Sequence, residues 1–182
     1  MDMSYPEYKE ALVAFAGVFD YPSQKTSKRA RECSSLLKDR RASSLMKSFY
    51  SYVKDHPLGR VAEVYTRTFD LQPSCSPYIG YHIFGDGYRR GEFLVRLKGR
   101  CSECGLDVGR ELPDHISVVL RLLALVGGSE EDDLVALCLS PAIDRMLESL
   151  ADEENPYSWA LQALSYTIRA PQKAYIAKQE VS

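Results

Sequence analysis

Few residues in this 182-residue chain combine reactive side chains with a spacing that could do chemistry. Cys101-Ser102-Glu103-Cys104 is the first, because two thiols so close can bind metal or cycle between oxidation states. A zinc site, however, needs four sulfur or imidazole ligands, usually as a pair of close pairs, and no second pair exists. Both cysteines also fall on the apolar stripe begun by Phe93 and Leu97, where a thiol packs as a small hydrophobe. Packing is the expected role, with a metal or redox role as the alternative. The three histidines are too few for a metal centre. His56 precedes a proline in a turn, and His82 sits among aromatics. His115 follows Asp114, and an acid beside an imidazole can bind polar or cationic groups. Without a nucleophile that pair is no triad. The serines form no G-x-S-x-G elbow, and the glycines form neither a phosphate loop nor G-x-G-x-x-G. No catalytic residue, metal or cofactor is expected.

Composition points the same way. Hydrophobic residues make up 45% and charged residues 26%, enough apolar content for a packed core. The net charge of -2 hides an asymmetry. Between Gln24 and Arg41 the bases Lys25, Lys28, Arg29, Arg31, Lys38, Arg40 and Arg41 dominate. Between Ser129 and Glu154 nine acids face Arg145 alone. A basic run without a recognition motif is more often a solvated helix face than a nucleic-acid surface, so no nucleic-acid partner is expected. The first residues lack a basic start and apolar run, and Ile116 to Val126 is too short to span a bilayer. A cytoplasmic protein with reduced thiols and no membrane insertion is the expectation.

The elements that must position these residues read as helices. Tyr5, Tyr8, Leu12, Phe15 and Phe19 share one helical face, closed by Tyr21-Pro22. A second helix is predicted over Thr26 to Lys38, and a third carries Leu45, Phe49, Tyr52 and Val53. A fourth carries Leu58, Val61, Ala62, Tyr65 and Phe69. Leu71 to Gly87, with Pro73, Pro77, Gly80, Gly85 and Gly87 between aromatics, reads in part as a structured loop. Phe93 to Cys104 returns to helix and stops at Gly105. Glu111-Leu112-Pro113-Asp114 starts the next, with Asp114 as cap or first-turn charge before Ile116, Val119, Leu120 and Leu123. Ser129-Glu130-Glu131-Asp132 resembles a capping box, and Ser140-Pro141 restarts or kinks the helix that follows. Asn155-Pro156 opens the last. The pattern predicts one all-α domain over 1–182, a bundle of about eight helices.

The run Tyr65-Thr66-Arg67-Thr68-Phe69-Asp70-Leu71-Gln72-Pro73, then Ser76-Pro77-Tyr78 and Phe84-Gly85-Asp86, resembles the NarJ branch of the TorD/DmsD/NarJ chaperones. Arg90-Gly91-Glu92-Phe93-Leu94-Val95-Arg96-Leu97, Gly105-Leu106, Glu111-Leu112-Pro113-Asp114-His115-Ile116, Ser140-Pro141-Ala142 and Asn155-Pro156-Tyr157 fit in order and spacing. The resemblance implies a helical, non-enzymatic escort for one molybdopterin enzyme of the DMSO reductase superfamily. Such a protein binds the N-terminal leader-like segment of the catalytic subunit and assists cofactor insertion. The Cys101/Cys104 pair is outside the pattern, and the client remains open. So does the oligomeric state, monomer or domain-exchanged dimer.

A leader that folds on binding lays an apolar face in a groove, with charges fixing its register. The resemblance gives basic residues to the leader, so the site needs acids beside aromatics. Tyr65, Tyr78, Tyr81 and Phe84 offer area, and Asp70, Asp86, Glu111 and Asp114 offer charge. The resemblance favours Asp114 and His115 as contacts, with Pro77, Tyr78, Gly85 and Asp86 beside them. The bland alternatives are that Asp114 only caps a helix, that Tyr65 and Phe69 are core, and that Gly85-Asp86-Gly87 is only a turn. A nucleotide- or cofactor-binding accessory protein is the alternative function, with a nucleic-acid-binding helical protein ranked after it.

Overall fold

In a computed structural model the apolar stripes fold as helices, and the structure describes residues 3–71, 75–151 and 154–179. Gln72 and Pro73 of the proline-broken segment, and Asp152 and Glu153 of the acidic stretch, lie outside the described residues. The order is α1 (Tyr5–Phe19), α2 (Thr26–Leu36), α3 (Arg40–Asp55) and α4 (Leu58–Tyr65), which a π-helical turn, Thr66–Asp70, extends. Then come α5 (Ile79–Phe84), α6 (Tyr88–Glu103) and α7 (Ile116–Leu125). α8 (Ser129–Asp133), a second π turn (Leu134–Leu139) and α9 (Ser140–Ser149) run on as one rod, before α10 (Pro156–Gln179). Counting the rod once gives nine helices and no strand among the described residues. The all-α reading holds, and the helix beyond the expected eight is α5, inside the segment read as loop.

α7 lies at the centre. Ile116, Val119, Leu120 and Leu123 are fully buried, and Val118 and Leu122 on the other sides nearly so. A helix apolar over most of its circumference must be covered over most of it, and Leu125, 55% exposed, marks its open edge. α1, with Leu12, Phe15 and Phe19 fully buried, packs on α7, and α2, α3 and α10 continue the layer in succession. Tyr5 departs from its predicted stripe. It is 57% exposed, because its hydroxyl donates to the Glu131 carboxylate at 2.8 Å.

Several ends follow from local chemistry. Asp39 caps α3, its carboxylate accepting from the Arg41 and Ala42 amides at 2.8 Å. α6 stops where Gly105 takes φ +68° and Leu106 N–H reaches back to the Cys101 carbonyl. Cys101 is buried and Cys104 half-buried at this end, as packing residues. The capping box expected at Ser129 is absent. Gly128, at φ +65°, takes the cap position, and Glu131 turns inward to an ion pair with Lys9 at 2.6 Å. Pro141 stands at the start of α9, where the α-helix resumes. It has no N–H for the Leu137 carbonyl, and the π turn before it absorbs the mismatch, with Ser140 N–H bonding Val135 instead.

Candidate functional site

Two backbone hydrogen bonds bring the proline-broken segment onto the start of α7. Ile79 N–H donates to the Asp114 carbonyl and Ile116 N–H to the Pro77 carbonyl, both at 2.8 Å, making an isolated antiparallel bridge between Tyr78 and His115. The Tyr78 ring meets the His115 imidazole edge-on at 5.5 Å between centroids. Its hydroxyl reaches Glu111 at 3.4 Å.

Asp114 lies beneath this surface, with no exposure. A buried carboxylate needs a cation, and Arg90 of α6 supplies it, Nε to Oδ2 at 2.9 Å and Nη2 to Oδ1 at 3.5 Å. The guanidinium lies 5.5 Å from the Tyr78 ring centroid and 6.0 Å from that of Tyr81, within cation–π range. Nη1 also reaches the exposed Asp86 at 3.5 Å. Gly80 is required where it stands. A Cβ there would sit 2.7 Å from Asp114 Oδ2 and 2.9 Å from Phe93 Cδ1.

The cap of α7 is His115, not Asp114. Its Nδ1 accepts from Ser117 N–H at 3.2 Å and lies 2.8 Å from Ser117 Oγ, which donates to it. The proton therefore resides on Nε2, which donates to the Tyr65 oxygen at 3.5 Å. Tyr65 in turn donates to the Phe19 carbonyl at 3.2 Å. Burial pushes the His115 pKa below its ordinary value, so the imidazole is neutral, as this network requires. Burial, joined by the charges of Asp70, Glu111 and Asp20, pushes the Tyr65 hydroxyl up.

The structure thus gathers Tyr65, Pro77, Tyr78, Tyr81, Asp86, Glu111, Asp114 and His115 at one place, in two tiers. Asp114, His115, Tyr65 and Pro77 form a buried, hydrogen-bonded floor. Tyr78 and Tyr81 are half-buried above it, and Asp86, Glu111 and Asp70 are exposed acids at the rim. Asp70 ends the π turn, close enough for its charge to act on both Tyr65 and Tyr78. Gly85 ends α5 at φ +68°, a conformation that favours glycine. Phe84 is 36% exposed and leans on Phe93 instead. Beside the floor, Tyr21 meets Tyr65 edge-on at 5.3 Å and remains largely exposed. Leu71 and Leu112, at 69% and 43% exposure, are next to Asp70 and Glu111 in the chain.

Sequence reasoning missed Arg90, Gly80, Tyr21 and Ser117. Arg90 belonged to a recognisable run, but nothing local paired it with an acid 24 positions away. Missed too was Asp20, whose Oδ2 takes Arg121 at 2.7 Å and Arg29 at 3.0 Å. Within the basic stretch, Arg29, Lys28 and Lys38 are all in ion pairs, the last two with Glu32 and Glu7. No cluster of three metal-capable side chains occurs among the described residues, and no helix there is long and apolar enough to cross a membrane.

Comparison with known proteins places the chain in a family. The molybdenum cofactor assembly chaperones NarJ of Escherichia coli K12 and O157:H7 are each 35% identical over 75 residues, 41% of this chain. The match spans only 31% of those relatives' length. A crystal structure from Archaeoglobus fulgidus, described as a redox enzyme maturation protein, superimposes with TM-score 0.62. It covers 93% of this chain and 96% of its own at 20% identity, a likeness of fold. The family model for the nitrate reductase delta subunit matches residues 36–161, well over half of the sequence, and the chain belongs to that family.

Proposed function

We propose that this protein is an assembly chaperone for a molybdopterin-containing oxidoreductase of the DMSO reductase superfamily, with no catalytic step of its own. It binds the N-terminal segment of the catalytic subunit in the cytoplasm and keeps that subunit open to cofactor insertion. The supporting observation is the surface above the Tyr78–His115 bridge. There the half-buried rings of Tyr78 and Tyr81, and Tyr21 against Tyr65, stand with the exposed acids Asp70, Asp86 and Glu111, and the exposed Leu71 and Leu112 adjoin two of those acids in the chain. An amphipathic basic peptide needs such a combination, apolar area for its buried face and acids for its charged positions. The floor beneath is fully hydrogen-bonded, which fixes the surface without ligand. His115 supports Tyr78 across the bridge, and Asp114 is the buried acid of the surface, covered by Arg90 in the free chain.

The test is calorimetric titration with synthetic peptides of about 25 residues, taken from the N-termini of the molybdopterin catalytic subunits encoded in the same genome. One peptide binds, and Tyr78→Ala with Glu111→Ala weakens it by at least about tenfold while the circular dichroism spectrum stays the same. Absence of binding by every peptide refutes the reading, and undiminished binding by the folded double variant refutes the site.

A further inference from the structure

We propose that Arg90 is a displaceable internal occupant of a cation subsite. In the free chain its guanidinium fills the place that an arginine or lysine of the client peptide takes, and Asp86 receives it when it is displaced. The inference rests on the peptide-binding reading and adds to it a subsite and an exchange.

The subsite has a base and two walls. Asp114, without exposure, is the base, and the rings of Tyr78 and Tyr81 are the walls. This is the composition that recognises a guanidinium or ammonium group. Arg90 fills it with a side chain that keeps 13% exposure, whereas Asp114 beneath has none. Its hold is uneven. One contact with Asp114 is a good hydrogen bond at 2.9 Å, while the second is at the 3.5 Å limit.

Two features lower the cost of moving it. Arg90 lies in the first turn of α6, which contains no acid, and there the positive end of the helix dipole opposes a cation. A second partner is also within reach. Asp86 Oδ1 is already 3.5 Å from Nη1, one turn back and 84% exposed. An exposed pair of that kind contributes little by itself, so the resting position is on Asp114. When a client cation enters, Asp114 exchanges one positive partner for another and its buried charge is never left unpaired. Arg90 therefore sets a threshold. Peptides without a well-placed cation leave it in position, and those with one displace it.

The experiment takes the peptide that binds in the titration above and a second synthesis with citrulline for arginine and Nε-acetyl-lysine for lysine. Against wild type, Arg90→Gln binds the basic peptide about tenfold tighter and gains nothing for the neutral one. Asp86→Asn, an exposed change that leaves the fold untouched, weakens the basic peptide about threefold. In wild type the 15N resonance of Arg90 Nε moves from its salt-bridged position when the basic peptide saturates the protein. If that resonance stays in place at saturation, or the Asp86→Asn protein binds as wild type does, the exchange is refuted while the chaperone reading stands. If no peptide binds at all, both fall together.

Discussion

Gly80 lies in the first turns of α5, and replacing it by alanine sets two effects against each other. Helix propensity favours alanine by up to about 1 kcal/mol, because glycine loses more backbone freedom on folding. Packing opposes it. The added methyl carbon would lie 2.7 Å from Asp114 Oδ2 and 2.9 and 3.3 Å from two Phe93 ring carbons, where carbon contacts settle at about 3.5–4.0 Å. Neither neighbour is a loose side-chain end. Asp114 is buried and tied to Arg90, and Phe93 is held against Phe84. Overpacking of this kind costs about 1–3 kcal/mol, and strain on a buried ion pair adds to it. The net expectation for Gly80→Ala is a loss of about 1–3 kcal/mol, a fall in Tm of roughly 3–10 °C for a chain of this size. Gly99→Ala is the control, a helical position in α6 where a Cβ meets nothing within 4 Å. It gains about 0.5–1 kcal/mol. Urea unfolding followed by circular dichroism measures both. If Gly80→Ala is as stable as its parent or more so while Gly99→Ala gains, the tight packing on Asp114 is wrong.

Three further outcomes follow from the same physics. Lys9→Met leaves Glu131 buried without its cation and deprives the Leu123 and Val126 carbonyls at the end of α7 of their donor, a loss of about 3 kcal/mol in urea unfolding. His115, depressed by burial, resists protonation when folded, whereas the unfolded chain takes the proton near pH ~6.5. Its contribution is complete above that pH and falls as the solution is acidified through and below it. Thermal scans from about pH 7.5 to about 5.5 should therefore show a smaller decline for His115→Asn, which keeps a capping oxygen. His82 is depressed by burial with the same sign and accounts for part of the remaining slope. Asn155→Ala removes both the acceptor of Tyr157 N–H at the start of α10 and the donor to Thr68 Oγ1, lowering stability by about 1–2 kcal/mol in urea unfolding.

Periodicity made the bundle legible because burial acts on one face at a time. Leu12, Phe15 and Phe19 announce α1, and Ile116 to Leu123 announce α7, before any tertiary contact is known. α5 escaped because six residues between a tyrosine and a glycine make too short a stripe, and its helix depends on packing against α6 and α9. The turn at Ser129 was misread since a capping box and an acidic first turn with an inward-facing member look alike in sequence. Only Lys9, 122 positions earlier, decides between them. At the candidate site the aromatics and acids were visible by type. The division into floor and rim was not, because Asp114 and Asp86 are the same residue chemically and differ only in what covers them.

The two backbone bonds between the Pro77–Ile79 segment and the start of α7 join main chain to main chain, so they are indifferent to the side chains carried above them. The rim can therefore exchange an aromatic for an aliphatic at 78, or an acid for an amide at 111, without loosening the clasp underneath. A frame built this way can be refitted to different partners one surface residue at a time. The same main-chain bonds would hold through every substitution.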